Sequence, residues 1–121
     1  MGKLTPEIVH SRLKQFFPAK NDDFACNYKE ELKELNDFGI TTERRLINLL
    51  QKRADTVMAI DRTPMDSYHI KLYSEDFGKK FVADRLRRKF WFSFPGLLRL
   101  ALELEFGKAY ETYSYKRDGV L

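Results

Sequence analysis

The chain has 121 residues and carries 22 basic and 18 acidic side chains, which gives a formal net charge of +4. Hydrophobic residues make up 43% of the sequence and charged residues 33%, a composition that excludes a disordered or fibrous protein. We therefore expect a single globular domain over residues 1–121, long enough to bury a hydrophobic core without disulfides.

The first half of the chain contains three segments in which apolar residues recur every three or four positions. This spacing predicts helices over residues 5–17, 23–38 and 42–60. Thr5 suits an N-cap position, and Gly39 suits the position after a helix end. The third predicted helix has the clearest apolar face, which we expect to be buried. That face includes Leu46, Ile47, Leu50 and Val57.

The second half contains two further N-cap candidates, Ser74 and Ser93, and each precedes a helix-length segment. They predict one helix over residues 74–90 and another from 93 to Gly107. The latter is apolar nearly all round, which predicts burial. We expect Leu98, Ala101 and Leu102 to lie in the core. The five segments together predict an all-α bundle of about five helices.

Two segments fit this scheme less well. Residues 108–121 are polar, and we expect this C-terminal tail to be loosely held. Aromatic and apolar residues alternate over 68–73, and tyrosines alternate again near 113, as they do in strands. A minor two-strand pairing of residues 68–73 with 110–115 is therefore the alternative to helix there.

The sequence lacks the usual signatures of catalysis and of metal binding. His10 and His69 are not at ligand spacing with Cys, Asp or Glu, and there is no glycine-rich phosphate loop. The single cysteine, Cys26, excludes an intrachain disulfide and is interpreted as a small buried thiol. We therefore predict no enzyme, no metal and no cofactor.

The polar face of the third predicted helix is the first candidate site. Its residues are of the types that hydrogen-bond phosphates and base edges, and they fall on one side of the helix. They are Arg44, Arg45, Asn48, Gln51 and Lys52. The pattern favours nucleic-acid binding, with a purely solvated surface as the alternative.

A second basic cluster stands before a run of aromatic residues at positions 90–94. Basic side chains beside aromatic rings can hold phosphates while bases stack on the rings. The cluster consists of Arg85, Arg87, Arg88 and Lys89. The alternative is that these cations complement the dipole at a helix end and that the rings belong to the core.

The apolar segment from Trp91 to Phe106 is the third candidate, as a homodimer interface. Its proposed contact residues are Trp91, Phe94, Leu97, Leu98 and Leu102. Arg99 and Glu103 are spaced to pair with each other along this helix. Burial of the whole helix inside the domain is the alternative.

These observations lead to two functional hypotheses. The first is a non-catalytic module that binds nucleic acid through a basic helix face. The second is a protein–protein adaptor or inhibitor that acts as a homodimer through an aromatic and apolar helical surface. The longest apolar stretch is interrupted by charged residues, so we expect no membrane span. A single cysteine is typical of a reducing compartment, which predicts a cytoplasmic location.

Overall fold

The computed structural model describes residues 3–20, 26–61, 71–74, 79–82 and 93–117. Within these ranges the chain forms five helices and one antiparallel hairpin, which confirms the prediction of an all-α bundle. The elements are α1 (Pro6–Phe16), α2 (Lys29–Asp37), α3 (Glu43–Asp61), β1 (Lys71–Ser74), β2 (Lys79–Val82), α4 (Phe94–Phe106) and α5 (Lys108–Arg117).

Local sequence signals set the ends of several helices. The Thr5 hydroxyl caps α1 by accepting a hydrogen bond from the Ile8 amide at 3.2 Å, and Ser93 caps α4 in the same way. Gly107 follows α4 with a φ of 57°, a conformation that glycine adopts without strain. The helix predicted over residues 23–38 is wrong at residues 26–28, because Tyr28, with a φ of 55°, cannot continue a right-handed helix. Residues 23–25 lie outside the described ranges.

Helix α4 lies at the centre of the core. It packs against α3 most extensively, and α1, α2 and α5 also contact it. The residues of α4 that were predicted to lie in the core have no measurable exposure to solvent. Most of the residues predicted on the apolar face of α3 have none either. They are Leu46, Leu50, Val57, Leu98, Ala101 and Leu102. Ile47 differs from the prediction, because it lies at the edge of the buried face of α3 and remains half-buried.

The hairpin corrects two predictions. Strand β1 pairs with β2 in a register that places Lys71 opposite Val82 and Ser74 opposite Lys79. The helix predicted over residues 74–90 is therefore wrong at 79–82, and its remaining residues after Ser74 lie outside the described ranges. Phe81 and Val82 favour strand, and Gly78 in the sequence between the strands disfavours helix. The predicted strand pairing also had the wrong partner, because residues 110–115 are helical.

Helix α5 replaces the loosely held tail that the polar composition of residues 108–117 predicts. Tyr110 and Ser114 on this helix are completely buried. The Tyr110 ring lies 5.4 Å from that of Phe38, measured between centroids, so aromatic contacts with the end of α2 hold the helix in place. Residues 118–121 of the predicted tail lie outside the described ranges.

Candidate functional site

The polar face of α3 is exposed along the predicted stretch. The leucines that alternate with it, Leu46, Leu49 and Leu50, face the core. The exposed residues, which we call the polar stripe, are Arg44, Arg45, Asn48, Gln51 and Lys52. Within the part of the chain that the structure describes, Arg44, Asn48 and Gln51 make no side-chain hydrogen bond or ion pair. Their polar groups are thus accessible to a large ligand.

Arg45 is held in place at the start of α3. Its Nη1 atom donates a hydrogen bond to the carbonyl oxygen of Gly39 at 2.9 Å. Its backbone amide donates to the hydroxyl of Thr42, which caps the helix. Because Arg45 is exposed, the other N–H groups of its guanidinium remain available to a ligand.

Two basic residues that the sequence did not indicate lie at the same end of α3. The backbone of Lys3 forms an isolated antiparallel bridge with that of Thr42, just before the helix. Arg12 on α1 forms an ion pair with Glu43, with 2.9 Å between Nε and Oε2. We call the resulting group the basic end of α3: Lys3, Arg12, Arg44 and Arg45. No local pattern could have predicted it, since the chain segments that meet there are distant in sequence.

The opposite end of the polar stripe is neutralised by an acidic residue from α4. Glu105 lies 3.2 Å from the Nζ atom of Lys52 and 2.9 Å from Nη2 of Arg53, measured from Oε1. Arg53 is nearly buried, so this ion pair also joins α3 to α4. Along the sequence the stripe has no acid before Asp55, but the fold brings one to Lys52. Positive charge therefore concentrates at the basic end.

The second predicted basic cluster, Arg85, Arg87, Arg88 and Lys89, lies outside the described residues, as does Trp91. The other four predicted interface residues lie inside the chain's own core. Phe94 and Leu97 are 4% and 3% exposed, and Leu98 and Leu102 are not exposed at all. Helices α1 and α3 of the same chain pack against α4, so these four side chains correspond to the alternative given above, burial of the helix inside the domain.

A buried ionic network lies between α2, α4 and α5. The Glu34 carboxylate has a side chain that is 2% exposed, and it accepts hydrogen bonds from Arg99, Tyr110 and Arg117. Its Oε2 atom lies 2.7 Å from Nη1 of Arg117. Arg99 also contacts Glu31, instead of pairing along its own helix with Glu103 as predicted. The network joins three helices and has a structural role.

The environment shifts the pKa values of two groups in this network. Burial alone would lower the pKa of the Arg99 guanidinium, but the carboxylates of Glu34 and Glu31 outweigh it and raise that pKa. Burial and the hydrogen bond to Glu34 raise the pKa of Tyr110 far above its usual value. Arg99 is therefore charged and Tyr110 neutral at physiological pH.

Cys26 is a poor candidate for nucleophilic chemistry. Burial above all, together with the nearby Glu31 carboxylate, raises the pKa of its thiol, whereas a reactive cysteine needs a lowered pKa. The Nδ1 atom of His10 lies 2.7 Å from the Tyr28 hydroxyl, and Cys26 instead donates a hydrogen bond to Glu31. Across the described residues, no three His, Cys, Asp or Glu side chains gather in a way that could hold a metal ion.

A groove lies between the end of α1 and the second half of α3, and Arg12 of the basic end donates a hydrogen bond to Gln15, one of its lining residues. It has a volume of about 610 Å³. Its apolar walls include Phe16 and Met58, and its rim carries Gln15 and Asp55. The groove and the basic end are both formed by α1 and α3, but they involve different residues of these helices.

Comparison with known proteins finds no matching family model, no matching curated protein and no matching solved structure. Within the described ranges, no helix is both long and apolar enough to cross a membrane. The assignment of function therefore depends on the geometry of the chain itself.

Proposed function

We propose that this chain is a non-catalytic module that binds nucleic acid through the basic end and the polar stripe of α3. The observation that carries the proposal is the convergence of Lys3 and Arg12 with Arg44 and Arg45. Basic residues from three separate segments lie near the start of α3, and the charge of Arg12 among them is paired with Glu43. Such clustering is typical of surfaces that bind phosphates.

Different residues along α3 would contact different parts of the nucleic acid. Lys3, Arg44 and Arg45 would contact phosphates and release the counterions that surround them. Asn48 and Gln51 lie one and two turns further along the exposed face, where their amide groups can hydrogen-bond base edges. A cytoplasmic location, with its reducing conditions, suits a chain that has a single cysteine.

The decisive experiment reverses charge at the basic end and compares it with an equal change elsewhere. The variant Arg44→Glu/Arg45→Glu removes two exposed cations from the site. The control, Lys29→Glu/Lys33→Glu, makes the same change in net charge at exposed positions of α2. Binding of fluorescent single-stranded and duplex oligonucleotides is measured over a salt series, and circular dichroism checks that both variants remain folded.

We expect the Arg44/Arg45 variant to lose binding and its salt dependence to flatten by about one unit of slope for each lost phosphate contact. The control variant should retain most of the affinity. Equal losses in the two variants would mean that only overall charge matters. Absence of binding by the parent protein at low salt would refute the proposal.

The groove between α1 and α3 favours a second candidate function, self-association as an adaptor or inhibitor. Met58 and Phe16 expose apolar surface there that a second copy of the chain could cover. Sedimentation at increasing protein concentration tests this, with Met58→Glu as the variant that should abolish any dimer. A monomer at high micromolar concentration would exclude this function.

A further inference from the structure

Three half-buried aromatic side chains, from the ends of α2 and α4 and from α5, lie in contact with one another. The Phe38 ring lies 4.9 Å from that of Phe106 and 5.1 Å from that of Tyr113, measured between centroids. Tyr110 lies beneath them and is completely buried. We call Phe38, Phe106 and Tyr113 the ring cluster. Each of the three retains exposed surface, so together they present aromatic area to solvent.

The ring cluster borders the polar stripe of α3. Arg45 donates its hydrogen bond to Gly39, the residue after Phe38. Lys52 pairs with Glu105, the residue before Phe106. Arg45 and Lys52 are seven positions apart, about 10 Å along the helix, and both lie on one side of it. The contacts at the two ends of this stretch thus place the rings alongside it.

This combination of groups fits one class of ligand. Aromatic rings beside a row of cations bind unpaired bases by stacking, while the cations follow the backbone. The bases of a duplex are already stacked on one another and cannot reach such rings. An acidic group is also present, since the Tyr113 hydroxyl donates a hydrogen bond to Asp37 at 2.7 Å. A carboxylate there repels phosphates but accepts hydrogen bonds from base amino groups.

We propose that the site binds single-stranded nucleic acid, with bases stacked on Phe38 and Phe106 and phosphates on Arg44 and Arg45. This inference rests on the proposed function. It adds that the ligand is single-stranded, and it names the residues that would favour a single strand over a duplex. The charge-reversal test addresses phosphate contacts alone. The ring cluster requires a test that compares single-stranded with duplex ligands of one sequence.

The test variant is Phe38→Leu/Phe106→Leu, which keeps apolar side chains but removes the ring faces. Its affinity for a fluorescein-labelled single-stranded 12-mer should fall at least about fivefold. Its affinity for the matched duplex and the salt slope for the single strand should not change, because the phosphate contacts remain. The control variant, Phe16→Leu, makes the same exchange at a half-buried aromatic residue outside the ring cluster and should retain single-strand binding. Thermal unfolding shows whether each variant is folded.

A second measurement uses the unaltered protein, so that it does not depend on the folding of the leucine variant. A single strand that contains 5-iodouracil is irradiated with the protein, and mass spectrometry locates the cross-link. We expect cross-links at Phe38, Phe106 or Tyr113. Cross-links confined to other residues, or an equal loss of single-strand and duplex affinity in the leucine variant, would overturn the inference.

The outcomes separate this inference from the function on which it rests. If the parent protein binds duplex well and single strands poorly, the inference fails and the proposed function stands. If the parent binds neither form at low salt, both fail. A preference for the single strand that disappears in the Phe38→Leu/Phe106→Leu variant but persists in Phe16→Leu supports both.

Discussion

The sequence around Glu34 predicts an exposed side chain, whereas its neighbours in the folded structure bury it. In the sequence it belongs to a segment of alternating charge, residues 29–34, that is typical of a solvated helix face. In the structure its side chain is almost completely buried beneath α5. Arg99 and Arg117 compensate its charge, and they lie 65 and 83 positions later in the chain. Local periodicity carries no information about such distant partners.

Removal of the Glu34 carboxylate should be costly. We expect Glu34→Ala to lower the free energy of unfolding by about 3–5 kcal/mol, because it removes the buried counter-charge of Arg117 and one of the two buried carboxylates that contact Arg99. The matched control is Glu30→Ala on the same helix, whose exposed carboxylate should contribute less than about 1 kcal/mol. Urea denaturation measures both. Similar losses in the two variants would show that the buried network does not stabilise the fold.

Leu50 represents the residues whose environment the sequence predicted well, because the helical period of α3 alone places it on the buried face. Its side chain has no exposure. Replacement by alanine should lower the free energy of unfolding by about 2–5 kcal/mol through lost burial and a residual cavity. Gln51→Ala, one position along on the exposed face, should change it by under about 0.5 kcal/mol. A loss below that value for Leu50→Ala would contradict the assignment of the core.

At the scale of elements, prediction succeeded where a helix carries its own signals and failed where structure depends on contacts across the fold. Thr5 and Ser93 cap α1 and α4 by local hydrogen bonds, so these helices could be located from sequence. Helix α5 has no clear apolar face, and its stability comes from Phe38 and the carboxylates of α2. The basic end was missed for the same reason, because Lys3 and Arg12 reach α3 only through tertiary contacts.

The packing of α5 on α2 should weaken at alkaline pH. Burial and the hydrogen bond to Asp37 raise the pKa of Tyr113 from 10.0 to about 12. Above the lower value the tyrosine ionises in the unfolded chain but remains protonated in the folded one, so rising pH favours unfolding until the higher value is passed. We expect stability to fall over this interval and Tyr113→Phe to reduce the fall. Denaturation at pH values below and within the interval measures the effect, and identical slopes would contradict it.

At the scale of the whole molecule, the fold concentrates an otherwise modest positive charge. A net charge of +4 is spread over 40 ionised side chains in the sequence, yet Lys3, Arg44 and Arg45 gather at one end of α3. Other basic residues are paired: Arg53 with Glu105, and Arg99 and Arg117 with Glu34. Under the proposed function, the basic end of α3 is therefore the region where we expect a polyanion to bind.

The size of this region sets the expected salt dependence. Three to four phosphate contacts predict that the affinity for a single strand falls roughly 20- to 50-fold between about 50 and 200 mM salt. Fluorescence anisotropy titrations at several salt concentrations measure the slope. A much steeper slope would require further basic residues at the interface, with Arg85 to Lys89 as the first to test. A flat slope would exclude phosphate contacts.

Glu34 and its partner Arg117 are 83 positions apart, so the ribosome makes them at different times. Chains grow from the amino terminus at about 5–20 residues per second, so Arg117 is made roughly 4–17 s after Glu34. Until then α2 has an acidic side chain that must be buried but lacks its full set of counter-charges. Helix α4 lies in the core and α5 packs against it, so the packing of the first three helices is completed only after the last two helices have been made.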